Sequence, residues 1–579
     1  MPDQPQNRAA RPLTTLLLIA AGLVRFINLG YLDLQAWDEA LYAVRAETVE
    51  KFGLLVDQAS RAVDGLYSAL HPPLYVWLTA LANAVFGASE FSARFFSALA
   101  GALTLFVIHR IGILLKNERA GLIAALLYGL APVTLFYSRQ GQFDATLVFF
   151  LSFAFYWMLR SIDENSSWKA FASGLATGAA LMTKLFVGFG VPLTVLVWMA
   201  SARKFRSRAD WKRLGWLCLG MVLVAAPWHV FMTIRHGQGD PFFFLEASFL
   251  LQRTLSGVEG NVKPLGVFYY VNQLLVLFPF GVFWFLHALR TSGRKADLGW
   301  HLVALWFTVF FGVFSVMRTQ LEVYILPMLA AASLLAGRSI ERALREELSG
   351  RTIIALLAAT SLAVVWAVSQ EWRNSAKAVF GALSGGSLPA PADLQLVTHL
   401  AVSVLVVLLA AAILWSRATA GHFSKIIAPI HLVPLAIFAF FSVSYLDQTR
   451  FVDGGSALAH FVRGRNIRHV VVAGYERNPQ LSYYLEGADL GWESSIEFER
   501  IVPPPDETQF KSWLARELAV VPTGTLVVLE KDKFVRYKTI EPQRIIPQSF
   551  TGVFESRRYS AWMRRPDDTL ALRAGTKAD

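Results

Sequence analysis

Apolar runs long enough to cross a bilayer recur along this 579-residue chain from Pro12 to Tyr445, and this feature limits its fold more than any other. About 20 apolar residues in helical form span the ~30 Å hydrocarbon core. Inside that core each backbone donor and acceptor must be satisfied within the segment itself, which leaves the helix as the form for runs of this length. Runs near 12–30, 90–112, 120–138, 145–160, 168–184, 185–202, 214–234, 267–288, 298–316, 321–337, 352–370, 395–415 and 425–446 meet the requirement. They predict an α-helical polytopic membrane protein of about 13 transmembrane helices, with a shorter apolar stretch, 74–87, suited to the interface. Composition agrees: 55% of residues are hydrophobic and 17% charged, against about 45–50% and about 25% in soluble domains.

The net charge of +12 raises nucleic acid as a partner, but the basic residues are not gathered into one aromatic-laced patch, which excludes it. They sit in short loops: Arg203, Lys204, Arg206, Arg208, Lys212 and Arg213 form the densest group. Lys116 with Arg119, Arg290 with Arg294 and Lys295, and Arg338 with Arg342 and Arg345 add to the same side. That side is expected to be cytoplasmic. Alternating the spans then puts 31–89, 139–144, 235–266, 317–320, 371–394 and everything after 446 outside. Arg8 and Arg11 before Leu13–Val24 resemble a signal peptide, but no small-x-small cleavage site follows and Arg25 comes at once, so an uncleaved first span is expected. The single cysteine, Cys218, excludes an intrachain disulfide and Cys-rich metal sites.

Beyond the spans the character changes. His469–Gly474 and Thr525–Glu530 read as strands among charged and Pro-rich stretches such as Pro503–Asp506. The expected organisation is a transmembrane domain over 1–446 and a small soluble α/β domain over 447–579. No internal repeat is visible, which counts against the inverted-repeat transporters.

A few residues could carry chemistry. Asp38 and Glu39, in Trp37-Asp38-Glu39-Ala-Leu-Tyr42, could supply a general base or bind a divalent cation. The plainer alternative is a loop in which Asp38 caps a helix running to Glu50. Asp144 stands at the external end of a span, where an ionisable group is costly and points to function; pairing with Arg139 or helix capping is its alternative. His71 is followed by Pro72 and Pro73, which fix the backbone and hold it rigidly. Cations on the external side are few: Lys184, Arg253, Lys263 and Arg318. They are the donors a phosphate at the interface would need, or else snorkelling anchors.

In order and content these pieces resemble the GT-C class of membrane glycosyltransferases, and within it the family of protein O-mannosyltransferases and the lipid A aminoarabinose transferase. The resemblance runs from Arg25 to about residue 338. The family's Asp-Glu followed by Tyr matches Asp38, Glu39 and Tyr42; its basic residue before proline matches His71 and Pro72; its acidic residue in the second external loop matches Asp144. Thr183-Lys184, Gln252-Arg253 and Phe314-Ser-Val-Met-Arg318 with Tyr324-Ile-Leu326 follow in the family's order. Leu41, Leu70 and Leu250 depart from the aminoarabinose transferase pattern, which carries Arg, Glu and His there. The resemblance therefore implies the shared catalytic plan and fixes neither that enzyme's donor sugar nor its metal.

The plan it implies is transfer of a sugar, with inversion, from a polyprenyl phosphate to a glycolipid of the lipid A type or a protein acceptor, on the extracytoplasmic face of a bacterial inner membrane. Asp38 would be the base and Asp144 would orient it or the acceptor. His71, Lys184, Arg253 and Arg318 would neutralise the leaving phosphate, with Glu39, Tyr42 and Tyr324 lining the substrate. A secondary transporter or lipid flippase is the competing class, but it favours acidic residues at the bilayer midplane.

Overall fold

The computed structural model describes residues 6–35, 37–202, 204–205, 207–237, 242–257, 266–292, 297–364, 366–367, 454–474, 477–492, 495–502, 510–531, 546, 549–556 and 558–564. The expected spans 395–415 and 425–446, the loop 371–394, Lys263 and the Pro503–Asp506 stretch lie outside them. The chain divides into two compact units. The first takes residues 1–29, 70–78 and 94–449; the second takes 30–69, 79–93 and 450–579.

The first unit is helical. Among the described residues five helices are long and apolar enough to cross a membrane: Glu90–Leu114, Asp144–Asp163, Arg208–Arg235, Leu298–Val316 and Glu322–Leu344. A sixth is reached by joining Glu118–Leu130 to Pro132–Ser138, which are bent by 65°. The chain is thus an integral membrane protein. Local signals set the helix ends. Asn117, Ser207 and Asp297 each accept a backbone N–H of the first turn that follows, supplying one of the partners a helix start lacks.

Proline accounts for two departures from the expected spans. The run 120–138 bends because Ala131, before Pro132, is extended (φ −64°, ψ 131°). The run 267–288, expected as one span, is two helices, Val267–Leu277 and Val282–Ser292; Phe278, before Pro279, leaves the helical region (φ −136°, ψ 44°). The stretch 235–266, expected as a loop, contains the helix Phe242–Leu251, too short to register as a span. Shorter apolar helices occupy Leu74–Phe86 and Gly350–Val364.

Packing in this unit relies on small residues. A Cβ on Gly174 would lie 2.1 Å from the Leu217 carbonyl oxygen, and one on Gly220 2.5 Å from that of Phe171. Only glycine allows Ser167–Leu181 and Arg208–Arg235 to approach so closely, as membrane helices without a hydrophobic drive to associate require. The helix Leu326–Leu344 is nearly all buried and packs with Trp306, Phe155 and Phe310 in one continuous core.

The second unit is built on a five-stranded sheet in the order β2-β1-β3-β5-β4. β1 (His469–Ala473), β2 (Glu497–Ile501) and β3 (Leu526–Glu530) are parallel; β4 (Phe550–Glu555) and β5 (Tyr559–Arg564) close one side as an antiparallel hairpin. The two expected strands are β1 and β3. Val470 and Val472 of β1 face one core with the helices Gly455–Gly464 and Pro479–Tyr484, while Val471 and Ala473 face another with Phe510–Ala519. This is the alternation a sheet covered on both faces produces. The first of these cores also takes in Leu34, Leu41 and Val44. The segment after the first span therefore packs in the same unit as residues more than four hundred positions away.

Candidate functional site

In the first unit a ring of contacts joins residues from five separate stretches of chain. Asp144 opens the helix Asp144–Asp163, where the helix dipole favours a negative charge. Its carboxylate accepts from Lys184 Nζ at 2.8 Å, with both side chains largely buried. Lys184 sits where the chain leaves the helix Ser167–Leu181; Phe186, two residues on, has φ +66°. The lysine ammonium lies 4.7 Å from the Phe143 ring centre and 5.1 Å from that of Tyr324. A cation so placed is held by ring quadrupoles as well as by the carboxylate.

The Tyr324 hydroxyl accepts from Arg253 Nη1 at 2.9 Å, and its ring stacks on Phe314 at 5.1 Å. Arg253 lies 4.4 Å over Phe249, and the His71 ring is 5.9 Å from Phe249 and 5.4 Å from Phe143, which closes the ring. Arg253 is carried by a π-helical turn, Gln252–Ser256. The turn is fixed by two backbone bonds, Arg318 N–H to Thr254 O (3.1 Å) and Thr319 N–H to Arg253 O (2.9 Å). Arg318 stands beside it with an exposed side chain. The His71-Pro-Pro stretch is anchored next to the lysine, since Leu74 N–H donates to Met182 O at 3.1 Å.

The structure thus brings His71, Asp144, Lys184, Arg253 and Tyr324 together and seats Arg318 on an adjoining turn. Arg139, the alternative partner considered for Asp144, instead donates to the Ile27 carbonyl at 2.5 Å. Capping does not explain Asp144 either, because Phe143 is the N-cap residue and no side chain caps that helix. Sequence reasoning passed over Phe143, Phe249 and the pair Tyr137–Glu322, whose hydroxyl–carboxylate distance is 2.9 Å. Phe143 lies inside the motif that drew attention to Asp144; an apolar residue in an apolar chain gives no signal of its own.

Asp38, Glu39 and Tyr42 lie in the second unit, on the helix Asp38–Phe52. The helix expected from the capping reading is present, but Asp38 is its first residue and Trp37 its N-cap, with no side-chain cap bond. Asp38 is exposed, whereas Glu39 and Tyr42 are buried. Glu39 turns back to accept from Gln35 N–H at 2.7 Å. Neighbours in a helix point about 100° apart, so the two carboxylates do not converge as one cation-binding pair. Among the described residues no group of three or more His, Cys, Asp or Glu side chains converges on a metal position.

The fold is similar to that of solved membrane glycosyltransferases. The solved ArnT from Cupriavidus metallidurans in its apo state superposes with a TM-score of 0.67 at 21% identity, over 96% of this chain and 98% of that one. The oligosaccharyltransferase of Archaeoglobus fulgidus superposes at 0.54 and 12% identity, over 94% and 74%. Residues 70–229 match the dolichyl-phosphate-mannose-protein mannosyltransferase family. The undecaprenyl phosphate-α-4-amino-4-deoxy-L-arabinose arabinosyl transferase of Pseudomonas aeruginosa is 27% identical over 351 residues, 58% of this chain and 61% of that protein. The chain therefore spans less than two thirds of the curated relatives it matches. These matches bear out the resemblance, read from the sequence, to the family of protein O-mannosyltransferases and the lipid A aminoarabinose transferase.

Proposed function

We propose that this protein transfers a sugar from a polyprenyl phosphate to a lipid or protein acceptor on the extracytoplasmic face of a bacterial inner membrane. The observation that carries the reading is the ring holding Lys184, Arg253, Tyr324 and His71 beside Asp144. Its cationic donors suit a phosphate, and its aromatic walls suit a lipid-borne sugar. The ArnT from C. metallidurans has been solved with undecaprenyl phosphate bound, which supports the same donor class here. A transporter or flippase would not need these residues in this order.

In the mechanism proposed, Arg253, Lys184, His71 and Arg318 hold the phosphate and take up the charge that grows on it as the anomeric bond breaks. Tyr324, stacked on Phe314 and bonded to Arg253, fixes the direction of the guanidinium. Asp38 accepts the acceptor's proton, and attack from the face opposite the phosphate gives inversion. Asp144 keeps Lys184 charged and aimed. Glu39 and Tyr42 support the Asp38 helix from its buried side. No step is routed through a divalent cation.

About thirteen spans, a cytoplasmic N-terminus and an extracytoplasmic second unit with residues 447–579 complete the proposed topology. It rests on the distribution of basic loops. Purified protein in nanodiscs, given undecaprenyl-phosphate mannose or undecaprenyl-phosphate 4-amino-4-deoxy-L-arabinose with lipid A, tests the activity directly. Sugar should appear on lipid A and undecaprenyl phosphate should be released. Export of intact donor without transfer would favour the transporter class.

A further inference from the structure

The backbone just before Asp38 is held by residues of the C-terminal part of the chain. Leu34, fully buried, has both of its backbone groups occupied: its N–H donates to the Tyr484 hydroxyl at 2.8 Å, and its carbonyl accepts from Gln480 Nε2 at 2.7 Å. One residue earlier, Asp33 accepts from Gly454 N–H at 2.9 Å and from the Ser456 hydroxyl, at the start of the helix Gly455–Gly464. One residue later, Gln35 ties this strip to the catalytic helix. Its N–H donates to Glu39 Oε2 at 2.7 Å, and its carbonyl accepts from Ala40 N–H at 3.3 Å.

Both clamping side chains are themselves fixed. The Tyr484 hydroxyl donates to Glu90 Oε1 at 2.9 Å, and Gln480 Oε1 accepts from the Tyr559 hydroxyl of β5 at 2.5 Å. Asp38 opens the helix that follows this strip, so the strip's backbone sets where that helix begins. A base misplaced by about 1 Å loses on the order of 10²-fold in rate.

We propose that Tyr484 and Gln480 are positioning residues for the glycosyl transfer, and that the C-terminal part of the chain serves to set the register of the Asp38 helix through Leu34. The inference rests on the reading of Asp38 as the base. It gives the sheet unit a part in turnover that does not require it to bind sugar or lipid.

A double-variant cycle on the full-length protein in nanodiscs tests it. Tyr484→Phe and Gln480→Leu are each made in the native and the Asp38→Asn backgrounds, with Gln480→Glu as a second variant should Gln480→Leu fail to reach the membrane. Three quantities are read: thermal melting, amide exchange over residues 34–41, and transfer from the two undecaprenyl-phosphate sugars named above. Exchange over 34–41 should accelerate, kcat should fall about 10–100-fold with the donor KM unchanged, and neither change should reduce the residual rate of Asp38→Asn further. An equal loss in both backgrounds would make the clamp merely structural and overturn the proposal while leaving the base in place. Unchanged exchange would overturn it whether or not either donor is turned over. Near-normal turnover by Asp38→Asn would remove the base assignment, and the clamp with it.

Discussion

The two units use polar groups in opposite ways. In the second, buried polar atoms are spent on one another: Asn478 Nδ2 donates to Glu530 Oε1 at 2.6 Å and to the Tyr559 hydroxyl at 3.0 Å, and Arg500 pairs with Asp489 at 3.1 Å. In the first, Lys184 and Arg253 lean on ring faces, and Lys184 is also paired with the Asp144 carboxylate. A satisfied network fixes shape, while cations held on ring faces suit an anionic ligand. On the proposed reading, the helical unit binds the leaving group and the sheet unit supplies rigidity. Asp38 is the exception, an exposed carboxylate on the rigid side.

Asp38 offers the largest way to break that division. Asp38→Asn should lower transfer by about 10²–10⁴-fold at normal membrane abundance, because basicity is removed and shape kept. Since Trp37 and not Asp38 is the N-cap, melting should hardly change. Loss of stability with intact specific activity would return Asp38 to a structural part.

A smaller effect is expected in the helical unit. Asp144→Asn should cut turnover roughly 10²-fold by freeing Lys184 from its aimed position. The double variant Asp144→Asn with Lys184→Gln should recover thermal stability, because no unpaired charge is left, but not activity. Recovery of both would mean that the pair only holds helices together.

Smaller still, Arg253→Lys keeps the charge but gives up the planar fork and the bond to Tyr324. Losing a hydrogen bond to a charged group is worth about 1.5–3 kcal/mol, so donor KM should rise ~10–100-fold. Undecaprenyl phosphate, added as a competitor, should weaken as an inhibitor in parallel. Unchanged inhibition would take Arg253 out of the phosphate site.

The least effect concerns pH and the sheet unit alone. Burial pushes the Glu47 carboxyl above the ordinary glutamate value, opposed by Lys51 at 2.9 Å. A raised carboxyl favours the protonated folded state. Its contribution is fully present below the ordinary glutamate pKa and is lost as pH rises through the raised folded value. Across that window wild type should lose melting temperature with rising pH more steeply than Glu47→Gln. Parallel slopes would show that Glu47 is already solvated.

By itself the sequence determined what local chemistry can express. Run length set a helical membrane protein, runs of valine and leucine marked β1 and β3, and six ordered motifs pointed to Asp38, Glu39, Tyr42, His71, Asp144, Lys184, Arg253, Arg318 and Tyr324. It mistook 267–288 for a continuous span because apolarity outweighed Pro279, and it passed over Phe242–Leu251 because ten apolar residues resemble a loop edge as much as a helix. Only the tertiary structure decided that Lys184 pairs with Asp144 and not Arg139 with it, and that the Tyr324 hydroxyl meets Arg253. Nor could periodicity say that Leu34 is held by Tyr484 and Gln480 some 450 positions away. Local propensity carries no information about which distant segments will share a core; that follows from the burial of apolar faces against whichever surface the rest of the chain supplies.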